Sequence, residues 1–173
     1  LSARVIGISR HDVIGRISHL RVYDGMISQR QNILNVNKNI EEKVTGLFRF
    51  HGDKHEIISC IKAGEIGSVA GIPSAQIGDP LGISDNITNI YTMPEPAMEI
   101  KVIPESDKLP ETRLALKELS DEDPYLNYKW ISNLRECRIR IFGKIQLEIL
   151  SEILRTRYEL NPVMDKPTVI YRE

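Results

Sequence analysis

The sequence predicts two folds in series: an antiparallel β-barrel over residues 1–92, then a ferredoxin-like domain over residues 93–173. Three observations lead there. The first half is cut into short alternating runs by glycine turns and contains no stretch of helical length and period. Two close prolines in TMPEPAM, Thr92 to Met98, mark a change of texture and read as a linker. Beyond it the runs follow the order β-α-β-β-α-β.

Taken in order, ARVIGI is a strand. GRISHLRVYDGMIS gives two more around Asp24-Gly25, a pair suited to a type I′ hairpin. Leu20 and Val22 alternate with His19, Arg21 and Tyr23, so the two faces differ in polarity. KVTGLFRF and KHEIISCI flank a turn at His51-Gly52-Asp53, and GEIGSVAGI and AQIGDPLGI follow. Closing such strands into a barrel leaves no unpaired edge.

In the second half AMEIKVIP is a strand, and KLPETRLALKELSDEDP is a helix with Leu109, Leu116 and Leu119 inward and Asp123-Pro124 past its end. YLNYKWIS and CRIRIF alternate as strands. KIQLEILSEILRTRY is an amphipathic helix: Ile149, Leu150, Ile153, Leu154 and Tyr158 form its apolar side, Glu148, Glu152 and Arg155 its polar stripe. Gly143 precedes it where a strand turns sharply into a helix, a place that favours glycine. Pro167 opens a last strand, TVIYR. Two helices would cover one face of four strands and leave the other open to a partner.

The charge balance, 23 basic against 24 acidic residues, gives no whole-chain field to draw in nucleic acid, and no DNA partner is expected. Cys60 and Cys137 lie far apart in apolar settings and read as reduced core residues, which points to a reducing, cytoplasmic setting. No apolar run nears the ~20 residues of a membrane span, so no membrane partner is expected. Strand-like sequence at Leu1 and again up to Glu173 suggests that both ends are cuts through a longer protein.

Catalytic chemistry is not evident. There is no G-x-x-x-x-G-K-[ST] loop to cradle phosphates, so no nucleotide or other cofactor is expected on this segment. Asn37-Lys38-Asn39-Ile40 begins like a guanine-reading loop, but Ile40 cannot accept hydrogen bonds from a base. Asp12 to Gly15 and Asp79 to Gly82 both fit the short pattern D-x-x-G, which arises by chance. His51 and His55 are the best-spaced metal candidates, yet a hairpin tip between them puts them on different strands, and no metal site is expected. Asp121, Glu122 and Asp123 read as a solvated helix end. The open sheet face would carry Arg138, Arg140 and Phe142, which suits a grip on an RNA backbone as well as it suits a solvated strand, so a stand-alone RNA-binding module is one reading.

A resemblance narrows this. RVYDGMI, AGEIGSVAGIPSAQIGDPLG, PEPAMEIKVIPES, LKELSDEDP, FGKIQLEIL and PTVIYRE occur here in the order and at the spacing of the second and third domains of translational GTPases similar to elongation factor G. Elongation factors read G-E-L-H-L-E at the strand-to-helix junction, where this chain has Gly143-Lys144-Ile145-Gln146-Leu147-Glu148. That form resembles ribosomal-protection proteins that confer tetracycline resistance, as do LSARV, SDEDPYLNY and KPTVIYRE. The resemblance implies a translation-factor barrel followed by the ferredoxin-like domain. It implies as partners the ribosome, through small-subunit rRNA and protein, and the parent's own GTPase and C-terminal domains. GTP and Mg would be bound outside this segment. The residues expected to dock or to contact neighbouring domains are Arg21 and Tyr23 in the barrel and Arg138, Arg140, Gly143, Lys144, Gln146 and Glu148 in the second domain. Gln146 keeps a hydrogen-bonding side chain where relatives carry histidine and removes a titration. An elongation factor G, or another ribosome-associated GTPase, is the alternative within the same superfamily.

Overall fold

The computed structural model describes residues 1–52, 54–83 and 95–166, and the backbone of Thr168 and Val169. Asp53 of the expected turn, the Thr92–Pro94 part of the linker, and Pro167 with residues 170–173 of the last strand lie outside the described residues. The chain forms two compact units, Leu1–Tyr91 and Thr92–Glu173.

The first unit is built from β1 (Ser2–His11), β2 (Gly15–Asp24), β3 (Met26–Ser28), β4 (Asn32–Asn35), β5 (Ile40–Lys43), β6 (Gly46–His51), β7 (Lys54–Ile57), β8 (Cys60–Lys62), β9 (Ile66–Ala70) and β10 (Pro80–Gly82). Eight of them form one antiparallel, barrel-like sheet in the order β5-β4-β10-β1-β2-β9-β6-β7. Ala3, Val5, Ile8, Leu20, Val22, Leu47, Val69 and Leu81 are buried in its core. Inward positions on β1 change parity between Val5 and Ile8, because a bulge at Ile6 breaks the register with β2 there.

Two expectations need correction, and one hairpin escapes the sequence reading. Among the described residues the hydrogen bonds do not run full circle: β5 and β7 end the order, and both edges carry charged residues, Glu41, Glu42 and Lys43 on one, Lys54 and Glu56 on the other. Asp24-Gly25 makes no type I′ hairpin. Only Gly25 has positive φ, and the chain leaves β2 so that β3 can pair with β8. The β4–β5 hairpin had no reading of its own, since its strands are rich in Asn and Glu; Asn39 turns it in the left-handed region at φ 54°.

Asp79 is 5% exposed and ties this unit together. Its carboxylate accepts from Asn35 Nδ2 at 2.8 Å, Asn37 Nδ2 at 2.9 Å and the Gln76 N–H at 2.9 Å, with Lys38 Nζ at 4.0 Å. Two fragments that look nucleotide-binding in sequence are thus one satisfied structural knot. Burial alone would push the Asp79 carboxyl up, but the donors from Asn35, Gln76 and Asn37, with Lys38, outweigh it and hold it below the usual carboxylate value. The stability it contributes is therefore present above the unfolded value and is lost as pH falls through the lower folded value. Asp79→Asn is expected to cost about 1–3 kcal/mol at neutral pH, and to flatten the acid limb below about pH 4, in urea melts across pH.

The second unit contains β11 (Met98–Ile103), α1 (Leu109–Glu122), a 3₁₀ turn over Pro124–Leu126, β12 (Lys129–Ile131), β13 (Glu136–Ile141), α2 (Lys144–Tyr158), β14 (Val163–Met164) and β15 (Thr168–Val169). The sheet order is β12-β13-β11-β14, and β15 also pairs with β11, so the last strand comes in two pieces along one edge. This is the ferredoxin-like arrangement. Pro110 sits in the first turn of α1, where its missing N–H costs nothing, and Ala115, Leu116 and Leu119 are buried. The helix stops at Asp123, whose extended backbone precedes Pro124. YLNY is consequently a turn rather than a strand: Pro124 starts it and Asn127, at φ 42°, ends it.

On α2 only Leu150 and Leu154 are fully buried. The expected core role of Ile149 is wrong, since it is 55% exposed. One helical step, ~100°, carries it from the Leu150 stripe to the rim, and the apolar side of α2 is wider than the core that covers it.

Candidate docking surface and the strand-to-helix junction

Gly143 precedes the first turn of α2 with φ −176° and ψ 177°. This is extended backbone open to any residue, and a Cβ built there meets nothing within 4 Å. The expected need for glycine at a sharp turn is therefore corrected. Gly143→Ser is expected to keep the fold and to gain a few tenths of a kcal/mol up to about 1, by accepting a hydrogen bond from a first-turn N–H, as a small rise in thermal midpoint would show.

Gln146 holds the junction. Its Oε1 accepts the Phe142 N–H at 2.8 Å, and its Nε2 donates to Asp123 Oδ2 at 3.2 Å. The reach back past the start of the helix is a relative of the capping box. The other carboxylate oxygen of Asp123 accepts the Tyr125 N–H at 3.0 Å. One amide thus links the end of β13, the start of α2 and the exit of α1. Asp123, read in sequence as part of a solvated acidic cluster, is its partner.

Beside this link the rings of Tyr125 and Phe142 lie 5.7 Å apart, and Ile145 is 74% exposed. A groove of about 170 Å³ runs between the helices, lined by Leu119, Leu126, Gln146, Ile149, Leu150 and Ile153 among others. Lys144 and Glu148 are exposed, and Glu148 borders a second groove with Glu152 and Arg155. The patch is apolar and offers no nucleophile beside a base.

On the open sheet face the arginines are already committed. Arg138 Nη1 lies 2.9 Å from Glu99 and its Nη2 3.0 Å from Glu136, while Lys101 Nζ reaches Glu136 at 2.7 Å. Lys101 and Arg138 hold the Glu136 carboxyl below its ordinary range, and Glu99 and Glu136 raise the Arg138 guanidinium. Arg140 faces Glu95 at 3.7 Å. Together these pairs cancel the field a phosphate backbone needs. The β11–β13 register brings Glu99 opposite Arg140 and beside Arg138, which sequence spacing did not reveal.

In the barrel, Arg21 is half-buried on the outer side of β2, opposite Arg4 in the pairing with β1, and Tyr23 is 48% exposed near the end of the strand. His51 and His55 fall on β6 and β7 as expected, and among the described residues no group of three or more His, Cys, Asp or Glu side chains could hold a metal ion. Cys60 and Cys137 are free; Cys137 is buried and Cys60 half-buried. No helix among the described residues is long and apolar enough to cross a membrane.

Residues 15–82 match the family described as elongation factor Tu domain 2. Elongation factor G of Fervidobacterium nodosum is 34% identical over 164 residues, which cover 92% of this chain and 24% of that protein. The chain is homologous to part of elongation factor G. Elongation factor G 2 of Treponema pallidum agrees, at 31% identity over 179 aligned positions that cover 100% of this chain and 26% of the relative. A crystal structure from Thermus thermophilus shares the fold, with a TM-score of 0.78 at 20% identity over 96% of this chain and 26% of that one. The chain thus spans about a quarter of the length of the curated relatives it matches. This elongation-factor-G-like chain is antiparallel barrel and α/β unit together, and the likeness reaches across both.

Proposed function

We propose that the chain is the ribosome-docking, signal-transmitting middle segment of a translational GTPase of the elongation-factor-G kind. Its partners are small-subunit rRNA and protein on one side and the parent's GTPase and C-terminal domains on the other. GTP and Mg are bound by the parent outside this segment, and the segment itself hydrolyses nothing. The setting is the cytoplasm.

The observation that carries this reading is the continuous alignment of nearly the whole chain with about a quarter of elongation factor G, in a sequence that has no phosphate loop. The Gln146 link supports a mechanical role: it fixes where α2 leaves the sheet relative to the exit of α1, using a neutral side chain. A coupling of ~1–3 kcal/mol between a nucleotide site and a ribosome site is enough for such a segment to matter. The ion-paired sheet face speaks against the alternative of a stand-alone RNA-binding module.

Release of tetracycline from the ribosome is a second reading. It rests on Gly143-Lys144-Ile145-Gln146-Leu147-Glu148, whereas the named relatives favour an elongation factor. The test is to express the full reading frame carrying this segment in two bacterial strains. Rescue of a strain depleted of its own elongation factor G supports the first reading. Tetracycline tolerance in a susceptible strain supports the second. Neither effect, from a stably produced protein, would sink both.

A further inference from the structure

Three of the four histidines gather on the outer side of the barrel-like sheet, around Phe48 and Phe50. They come from distant parts of the chain. His11 ends β1, His19 lies on β2 and His55 lies on β7, directly opposite Phe50 of β6. The His11 and His55 rings meet edge to face at 5.0 Å, and both contact Phe50, at 6.2 and 5.5 Å between centroids. His19 meets the same phenyl ring at 6.0 Å.

Each imidazole has a distinct task. His11 Nδ1 accepts the Val13 N–H at 3.2 Å and the Ile14 N–H at 3.4 Å, so its lone pair holds the tip of the β1–β2 hairpin. That leaves the ring proton on Nε2. His19 is bonded at both nitrogens, to Ser9 Oγ at 2.8 Å and Ser68 Oγ at 2.8 Å, and burial lowers its affinity for a second proton. His55 supplies the ring on which His11 rests.

We propose that this cluster is an acid-sensitive latch that pins the β1–β2 hairpin tip against the β6–β7 hairpin while the imidazoles are neutral. A proton on His11 Nδ1 removes the acceptor that holds Val13 and Ile14. A second positive charge on His55, one ring away, adds repulsion. The described charged groups on the elements carrying the cluster are Arg4, Arg10, Asp12, Arg16, Arg21 and Asp24 on β1, β2 and their turn, Arg49, His51, Lys54 and Glu56 on β6 and β7, and Glu65 before β9. Arg16 is spent on the Ile72 and Ala75 carbonyls, and Arg49 on Glu56 and Glu65. Glu56 also faces His51 at 3.8 Å. Among the described residues no carboxylate forms an ion pair with His11, His19 or His55 to compensate their protonation. Burial lowers the His19 value, so the stability it contributes is present above the unfolded value near pH 6.5 and is lost as pH falls from there toward its lower folded value. Opening the latch frees the hairpin tip that presents Val13, which is 88% exposed.

The test is amide hydrogen exchange of the 173-residue chain at about pH 7.5 and about pH 5.5, corrected for the intrinsic pH dependence of exchange. Protection of the Val13 and Ile14 amides is expected to fall about tenfold or more at the lower pH, while Leu116 in the second unit keeps its own. In His11→Asn the side-chain oxygen can accept the same N–H groups without titrating, so protection should persist at both values. Unchanged protection in the native chain would overturn the proposal. So would an equal acid loss in His11→Asn.

Discussion

Leu116→Ala lowers the stability of the second unit by about 2–5 kcal/mol. Leu116 is fully buried, in a core that includes Ala115, Leu119, Ile139, Leu150 and Leu154. Truncation removes its apolar contacts and leaves a cavity between α1 and the sheet, which close-packed neighbours refill only in part. The single tryptophan of the chain, Trp130 on β12, packs against this core under the Arg113 guanidinium at 4.2 Å. Denaturant melts followed by its fluorescence therefore report on this unit. A midpoint like that of the native chain would show that the packing of α1 on the sheet is misassigned. Ile149→Ala is the matched contrast: a change at a mostly exposed position, expected to move the same melt far less.

Gly71→Ala lowers the stability of the first unit by at least about 3 kcal/mol, through two additive causes. Gly71 has φ 101°, where a side chain is strained. The new Cβ would also overlap the Lys43 carbonyl oxygen and lie 2.7 Å from Thr45 N and 2.8 Å from its Oγ1. The Thr45 hydroxyl can rotate, but the Lys43 oxygen and Thr45 nitrogen are backbone atoms that cannot, and the Thr45 N–H is held by the Ala70 carbonyl at 2.9 Å. The displaced segment includes Val44, which is fully buried. Urea melts of the β-sheet circular dichroism signal check this. Gly15→Ala separates the causes: Gly15 has φ 80° but open space around it, so only the backbone strain, ~1–2 kcal/mol, should be lost. Equal effects from the two variants would refute the overlap.

The sequence carries the fold where the signal is local. Glycine turns and alternating strands reveal the barrel-like sheet, and the Leu116–Leu119 and Leu150–Leu154 spacings reveal the two helices. Legibility ends where a feature depends on register or distant pairing. The bulge at Ile6 is a one-residue offset that alternation cannot announce, and it reverses which residues of β1 face inward. The open ends of the sheet follow from where β5 and β7 stop, and both are polar edge strands that resemble loops in composition. At the junction, Gln146 is readable as a hydrogen-bonding residue at a helix start, but its partner Asp123 lies 23 positions away. Gly143 misleads in the opposite direction: glycine suggests a special backbone, and the backbone there is ordinary. Arg138 and Arg140 look like free cations until the β11–β13 pairing sets carboxylates beside them.

The central proposal is that these residues transmit and dock while the nucleotide chemistry belongs to another part of the parent. GTP hydrolysis by the purified 173-residue chain, measured with ribosomes present, tests it most directly. The predicted result is phosphate release no faster than from ribosomes alone. Turnover that rises in proportion to the added chain would contradict it.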